Sequence, residues 1–136
     1  RVWMPRYGDV EELCCNVDDM PPSRIAFFQN VVKQAKYLLP SECRIGMDEG
    51  VRLLARLYNN AHELLNPDGS DVDLGFGVFV PACLFNHSCD PNCVWYVSNH
   101  GDLAVRTLRP VQKGEDLTIA YWDLHECTEE RRRKLQ

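Results

Sequence analysis

The sequence predicts an α+β chain, helical in its first half and built of short strands in its second. Three observations carry this. Apolar residues recur at helical spacing between about residues 23 and 65. Beyond residue 75 the apolar runs are short, rich in Val and aromatic residues, and separated by Gly-bearing turns. The 136 residues, 45% hydrophobic, 10% aromatic and 26% charged, suit one globular core of ordinary size rather than a disordered or multidomain chain.

Residues 1–20 mix Trp3, Pro5, Gly8, Asp18 and Asp19 without a period and predict an irregular lead-in. After Pro21-Pro22, Ser23 is placed to cap a helix on which Phe28, Val31, Val32, Ala35, Leu38 and Leu39 share helical spacing, and Pro40 stops it. A second helix is expected over 48–65, with Asp48 as cap and Val51, Leu54, Ala55, Tyr58, Ala61 and Leu65 as its stripe, ending at Asn66-Pro67-Asp68-Gly69. Strands follow at 75–80, 94–97, 103–108 and 117–121. The second and third flank a hairpin-length turn at Ser98-Asn-His-Gly-Asp102. A closing helix starts at Thr128, with Glu129 and Glu130 in its first turn and Arg131 to Lys134 in its last, an order that suits the helix dipole.

Charge and cysteine usage narrow the function. Fifteen Lys and Arg against 20 Asp and Glu leave a net charge of -5, so no cationic field exists to hold nucleic acid directly, and basic peptides are the better electrostatic match. No run approaches the ~20 apolar residues of a membrane span, and no secretory signal pattern opens the chain, so a soluble, intracellular protein without a membrane partner is expected. Seven Cys, an odd number, suit reduced thiols or metal ligands more than a disulfide framework. The first residue is Arg, which predicts a processed chain or a piece of a longer one.

The densest unusual stretch is Leu84-Phe-Asn-His-Ser-Cys-Asp-Pro-Asn-Cys93, a polar loop directly after an apolar run. A hydrolytic triad fails there, because His87, Ser88 and Asp90 are sequence neighbours whereas a triad converges from separate elements. His87, Cys89, Cys93, His125 and Cys127 are zinc-type donors, yet no CxxC pair supports a closed site among them, and packed thiols are the simpler reading. Gly75-x-Gly77 lacks the third glycine and following helix of a nucleotide loop.

Two separated phrases, Asn86-His-Ser-Cys-Asp-Pro-Asn92 and Gly114-Glu-Asp-Leu-Thr-Ile-Ala-Tyr121, together resemble the paired signature of SET-domain protein-lysine methyltransferases. Gly75-Phe-Gly-Val-Phe-Val-Pro81 before the first and Thr128-Glu-Glu-Arg-Arg-Arg-Lys-Leu135 after the second resemble the SET-and-MYND branch of that family. The resemblance covers roughly residues 58–136. It implies an α+β, SET-like fold of short strands with a preceding helical insert, incomplete in this chain. A helical, insert-like segment over 1–66 and the C-terminal part of a SET domain over 67–136 are expected.

By the same resemblance, Asn86 and His87 would lie against S-adenosylmethionine, through the Asn side chain and the His backbone. Asn60, in Tyr58-Asn-Asn-Ala61, would reach its methionine end. Tyr121 would be the catalytic tyrosine, and Cys89 one ligand of a zinc completed by downstream cysteines. The implied substrate is a lysine in a protein or peptide, histone or non-histone, met in the nucleus or the cytoplasm. The chemistry suits these residue types. A free lysine of pKa ~10.4 is charged at neutral pH, and an apolar channel beside a sulfonium disfavours that charge, while a neutral phenol can direct a hydrogen bond at the reacting centre.

Read without the resemblance, Tyr121 is a strand packing residue beside Leu117 and Ile119, His87 a loop histidine, Asn86 and Asn92 turn closers, and Asn60 a polar residue on an exposed helical face. The family's glycine-x-glycine strand and its cysteine-rich zinc module do not occur in this sequence, and Gln136 falls short of the downstream cysteines. A methyltransferase fragment is therefore expected. The alternatives are a catalytically inert SET-like module that binds peptides, and a zinc-stabilised structural domain.

Overall fold

The computed structural model of the chain describes residues 6–65, 73–98, 101–122 and 124–134, with backbone only for Leu65, Asp73, Leu74 and Lys134. Helices occupy the first half and short strands the second, an α+β arrangement as the periodicity predicts. The chain divides into two compact units: Arg1–Glu63 with Phe76–Val80, and Leu64–Gly75 with Pro81–Gln136.

The first unit is a helix pair. A short helix α1 (Tyr7–Glu11) interrupts the expected irregular lead-in. The Asp9 carboxylate takes the backbone N–H of Arg6 at 2.6 Å, which satisfies one otherwise orphaned donor at the helix start. A 3-10 turn over Val17–Asp19 follows, entered through Asn16 in the left-handed region (φ 41), where Asn is among the better tolerated residues. Helix α2 spans Pro22–Leu38. Its N-cap is Pro21 and Ser23 lies inside the first turn, so the expected serine cap does not form, and the helix opens on Pro22, whose fixed φ and missing N–H suit the first helical position.

Helix α3 (Met47–Asn60) starts one residue earlier and ends five residues sooner than its hydrophobic stripe predicts. The cap is Gly46, and Asp48 sits in the first turn, where it pairs with Arg52 one turn on. The Asn60 amide donates to Arg56 O, one turn back, and to Cys14 O, both at 2.8 Å, so it ties the end of the helix to the segment after α1. Ala61 turns extended (φ -76, ψ 141), and His62–Leu65 becomes strand β1, paired with β2 (Asp73–Gly77). Pairing overrode the helical period. The Asn66–Gly69 break lies outside the described residues.

Phe28 and Val32 of α2 meet Val51 and Ala55 of α3 in a buried cluster, with Ile25, Met47 and Leu54 packed around it. Burying side chains of this size stabilises the pair by roughly 1.5–3 kcal/mol each for Phe and Val. The helices approach closely at Gly50, where an added Cβ would stand 2.7 Å from Val32 Cγ2.

In the second unit a 3-10 turn (Ala82–Leu84) leads into β3 (Asn86–His87). Strands β4 (Cys93–Val97) and β5 (Leu103–Thr107) form an antiparallel hairpin with Trp95 opposite Val105. Gly101, at φ 82, supplies the left-handed residue of its turn, and Asp102 O accepts the Ser98 N–H at 2.8 Å. The strand expected over 117–121 is only β6 (Thr118–Ile119), so Tyr121 lies past its end. Similarly, the run expected over 75–80 is ordered as strand only to Gly77. Helix α4 spans Thr128–Lys134.

Candidate functional site

The two polar phrases meet through a parallel pair. Asn86 stands opposite Thr118 and His87 opposite Ile119, and Ser88 N–H donates to Ile119 O at 2.9 Å. Successive N–H groups along a strand point to opposite edges, so the His87 N–H faces away from β6. The join is held by Asn92, which is 3% exposed. Its Oδ1 accepts the Thr118 N–H at 2.8 Å, its Nδ2 donates to Asp116 O at 2.8 Å and to Glu115 Oε1 at 3.2 Å, and its own N–H donates to Thr118 Oγ1 at 3.3 Å. Thus an amide with two donors and an acceptor is satisfied inside the fold, as a buried polar group must be. Glu115 is fixed in turn by Arg109 and by the Gln112 N–H. The guanidinium, first, holds its carboxyl down at about 2, so it stays ionised around neutrality.

Tyr121 follows this join by two residues. Its backbone N–H donates to His87 Nδ1 at 3.1 Å, its hydroxyl donates to Phe85 O at 2.6 Å, and the two rings lie 5.4 Å apart at 53°. Burial, and secondarily the neighbouring Cys83, pushes the phenol above its ordinary pKa, so it remains a neutral donor. Burial also lowers the His87 pKa, helped by the Arg131 guanidinium. Both groups are therefore uncharged near neutral pH. The other nitrogen of His87, Nε2, is 3.3 Å from Cys89 Sγ.

Asn86, His87, Cys89 and Tyr121 are thus neighbours within the second unit, with Asn86 and Cys89 exposed. Asn60 belongs to the first unit, where its amide donors are used on Cys14 and Arg56 carbonyls. Asn92 and Phe85 are structural participants that the motif reading gave no role. The second Asn of the phrase was the available signal, but a turn-closing side chain and a buried bridge look alike in sequence.

The residues suit S-adenosylmethionine chemically: the exposed Asn86 carboxamide offers donor and acceptor, the His87 N–H points outward, and the phenol is neutral. Among the described residues no group of three or more His, Cys, Asp and Glu gathers as a metal cluster would. A structural zinc takes four donors, so Cys89 alone does not make such a site.

Comparison with known proteins gives the class. The SET domain family matches residues 11–122 of the chain. The chain is 39% identical over 82 residues to the histone-lysine N-methyltransferase SMYD3 of Mus musculus, covering 60% of this chain and 18% of that protein, and equally similar to the Homo sapiens protein. It is 33% identical over 138 residues to a SET and MYND domain-containing protein of Dictyostelium discoideum, covering 96% of this chain and 26% of that protein. The chain belongs to the SET-domain family, in its SET-and-MYND branch. It spans between 18% and 26% of the length of these relatives.

Proposed function

We propose that the protein is an S-adenosylmethionine-dependent protein-lysine N-methyltransferase, with Tyr121 as catalytic residue and Asn86 and His87 as cofactor-binding residues. The carrying observation is the meeting of the two phrases at one place, where Tyr121 N–H reaches the His87 ring across 34 residues of sequence. The names of the SMYD3 relatives, histone-lysine N-methyltransferases, support the same reading.

S-adenosylmethionine, when bound, supplies a methyl group activated by a sulfonium. The chain's own residues would bind and orient. Asn86 would hold polar groups of the cofactor through its side chain and His87 through its backbone, with Asn60 as a further contact at the methionine end. Tyr121, neutral and half-exposed, would turn the lone pairs of its hydroxyl oxygen toward the reacting centre and present its ring to the lysine stem. That hydroxyl is held by Phe85 O, so the phenol is oriented before substrate arrives, which lowers the entropic cost of alignment. Lysine in a protein or peptide, histone or non-histone, is the proposed substrate, and the net charge of -5 favours cationic partners. A role for Cys89 as zinc ligand would need cysteines from outside this sequence. Nucleus or cytoplasm is the proposed workplace.

Titration of S-adenosylmethionine into the protein carrying this chain tests the reading. At a hundredfold excess over Kd, binding should raise stability by about 2.7 kcal/mol, and Asn86→Ala should weaken it. No heat and no thermal shift, together with capture of lysine-rich peptides, would make the protein an inert peptide-binding module instead.

A further inference from the structure

We propose that the imidazole side chain of His87 is a positioning residue for Tyr121, fixing the backbone from which the phenol projects. This rests on the methyltransferase reading above and adds a side-chain role to a residue whose backbone alone was assigned one. Strand β6 ends at Ile119, so Tyr121 has left the parallel ladder when its N–H needs an acceptor. The His87 ring supplies it, with Nδ1 at 3.1 Å. Tyr121 is therefore held at both ends: the amide by His87 and the hydroxyl by Phe85 O at 2.6 Å. Ring contact at 5.4 Å limits rotation of the phenol between those anchors.

Accepting at Nδ1 requires a lone pair there, so the neutral ring carries its proton on Nε2. Nε2 is 3.3 Å from Cys89 Sγ, and sulfur is a weak acceptor suited to that proton. The three residues form one directed chain, His87 donating to Cys89 and accepting from Tyr121. The Tyr121 N–H, which can only donate, thereby fixes the tautomer, and Cys89 takes the Nε2 proton, a second-neighbour arrangement of the kind that orients reactive groups elsewhere. His87 touches no reacting atom in this scheme. It acts through Tyr121.

Two substitutions separate this role from general packing. The oxygen of Asn branches from the same carbon position as Nδ1, whereas the oxygen of Gln falls near Nε2. In the protein carrying this chain, His87→Gln and His87→Leu should lower kcat by about tenfold to a hundredfold with KM for S-adenosylmethionine unchanged, and His87→Asn should recover most of the loss. Gln equal to the unsubstituted protein, or Asn no better than Leu, would overturn the proposal. An activity-free readout keeps it testable if a variant folds poorly. Proton-nitrogen correlation spectra of the isotope-labelled protein, with the ring neutral, should find the proton on Nε2 and a Tyr121 amide signal that moves in His87→Leu more than in His87→Asn. A proton on Nδ1 would remove the positioning role alone. Absence of methyl transfer by the unsubstituted protein, with the expected tautomer present, would remove the methyltransferase reading and the positioning role with it.

Discussion

Asn92 joins the two halves of the site with a single carboxamide. Its acceptor takes the Thr118 N–H and its donors reach Asp116 O and Glu115, and it does so at 3% exposure, where no water replaces a lost bond. Asn92→Ala should therefore cost about 3 kcal/mol, the penalty for leaving a buried donor and acceptor unpaired, read as a lower urea midpoint at unchanged slope. Asn92→Asp keeps the acceptor but turns an oxygen toward Asp116 O and the ionised Glu115, so at neutral pH it should be no better than Ala. A loss below about 0.5 kcal/mol for both would mean the amide is not the clamp. None of this was legible in the sequence. The Asn-His-Ser-Cys and Gly-Glu-Asp-Leu phrases pointed to Asn86, His87 and Tyr121 through resemblance, whereas Asn92 reads equally as a turn closer, since burial depends on partners 23 to 26 residues away that spacing does not encode. Tyr121 was expected on a strand face, and its place beyond β6 emerges only once the ladder's end at Ile119 is known.

At the scale of elements, helices α2 and α3 were legible because their apolar stripes repeat over several turns, and their cores, Phe28 and Val32 against Val51 and Ala55, are drawn from those stripes. Their ends were less so. The stripe continues through Ala61 and Leu65, but Ala61 turns extended and β1 pairs with β2, so strand pairing decided a boundary that propensity left open. Gly50 carries the opposite lesson. On propensity alone, Gly50→Ala, at the fourth position of α3, should stabilise by up to about 1 kcal/mol. Instead its Cβ would stand 2.7 and 2.9 Å from the two methyls of Val32, a buried, β-branched side chain that is stiff at χ1. The substitution should destabilise by about 1–3 kcal/mol, and Val32→Ala should relieve part of that cost in the double variant. Thermal unfolding of the four proteins of that cycle checks it. Additive losses would mean that the close approach of α2 and α3 at Gly50 is not what excludes a methyl group.

Over the whole molecule, the helical half and the strand half do different work. The first unit is a packed helix pair. The second carries the crossing of the two phrases and, with it, Asn86, His87 and Tyr121. Fold class was legible because helical and strand periods occupy separate halves of the sequence. The site was legible as two phrases, but their convergence depends on a two-residue parallel pair too short to leave a periodic signal. In the proposed function this convergence places a neutral, anchored phenol where lysine would be methylated. Transfer of tritiated methyl from S-adenosylmethionine to histone by the protein carrying this chain, compared with Tyr121→Phe, tests it most directly. Transfer should be measurable in the unsubstituted protein and fall by about a hundredfold or more in Tyr121→Phe, with cofactor binding retained. Equal rates in the two proteins would contradict the account.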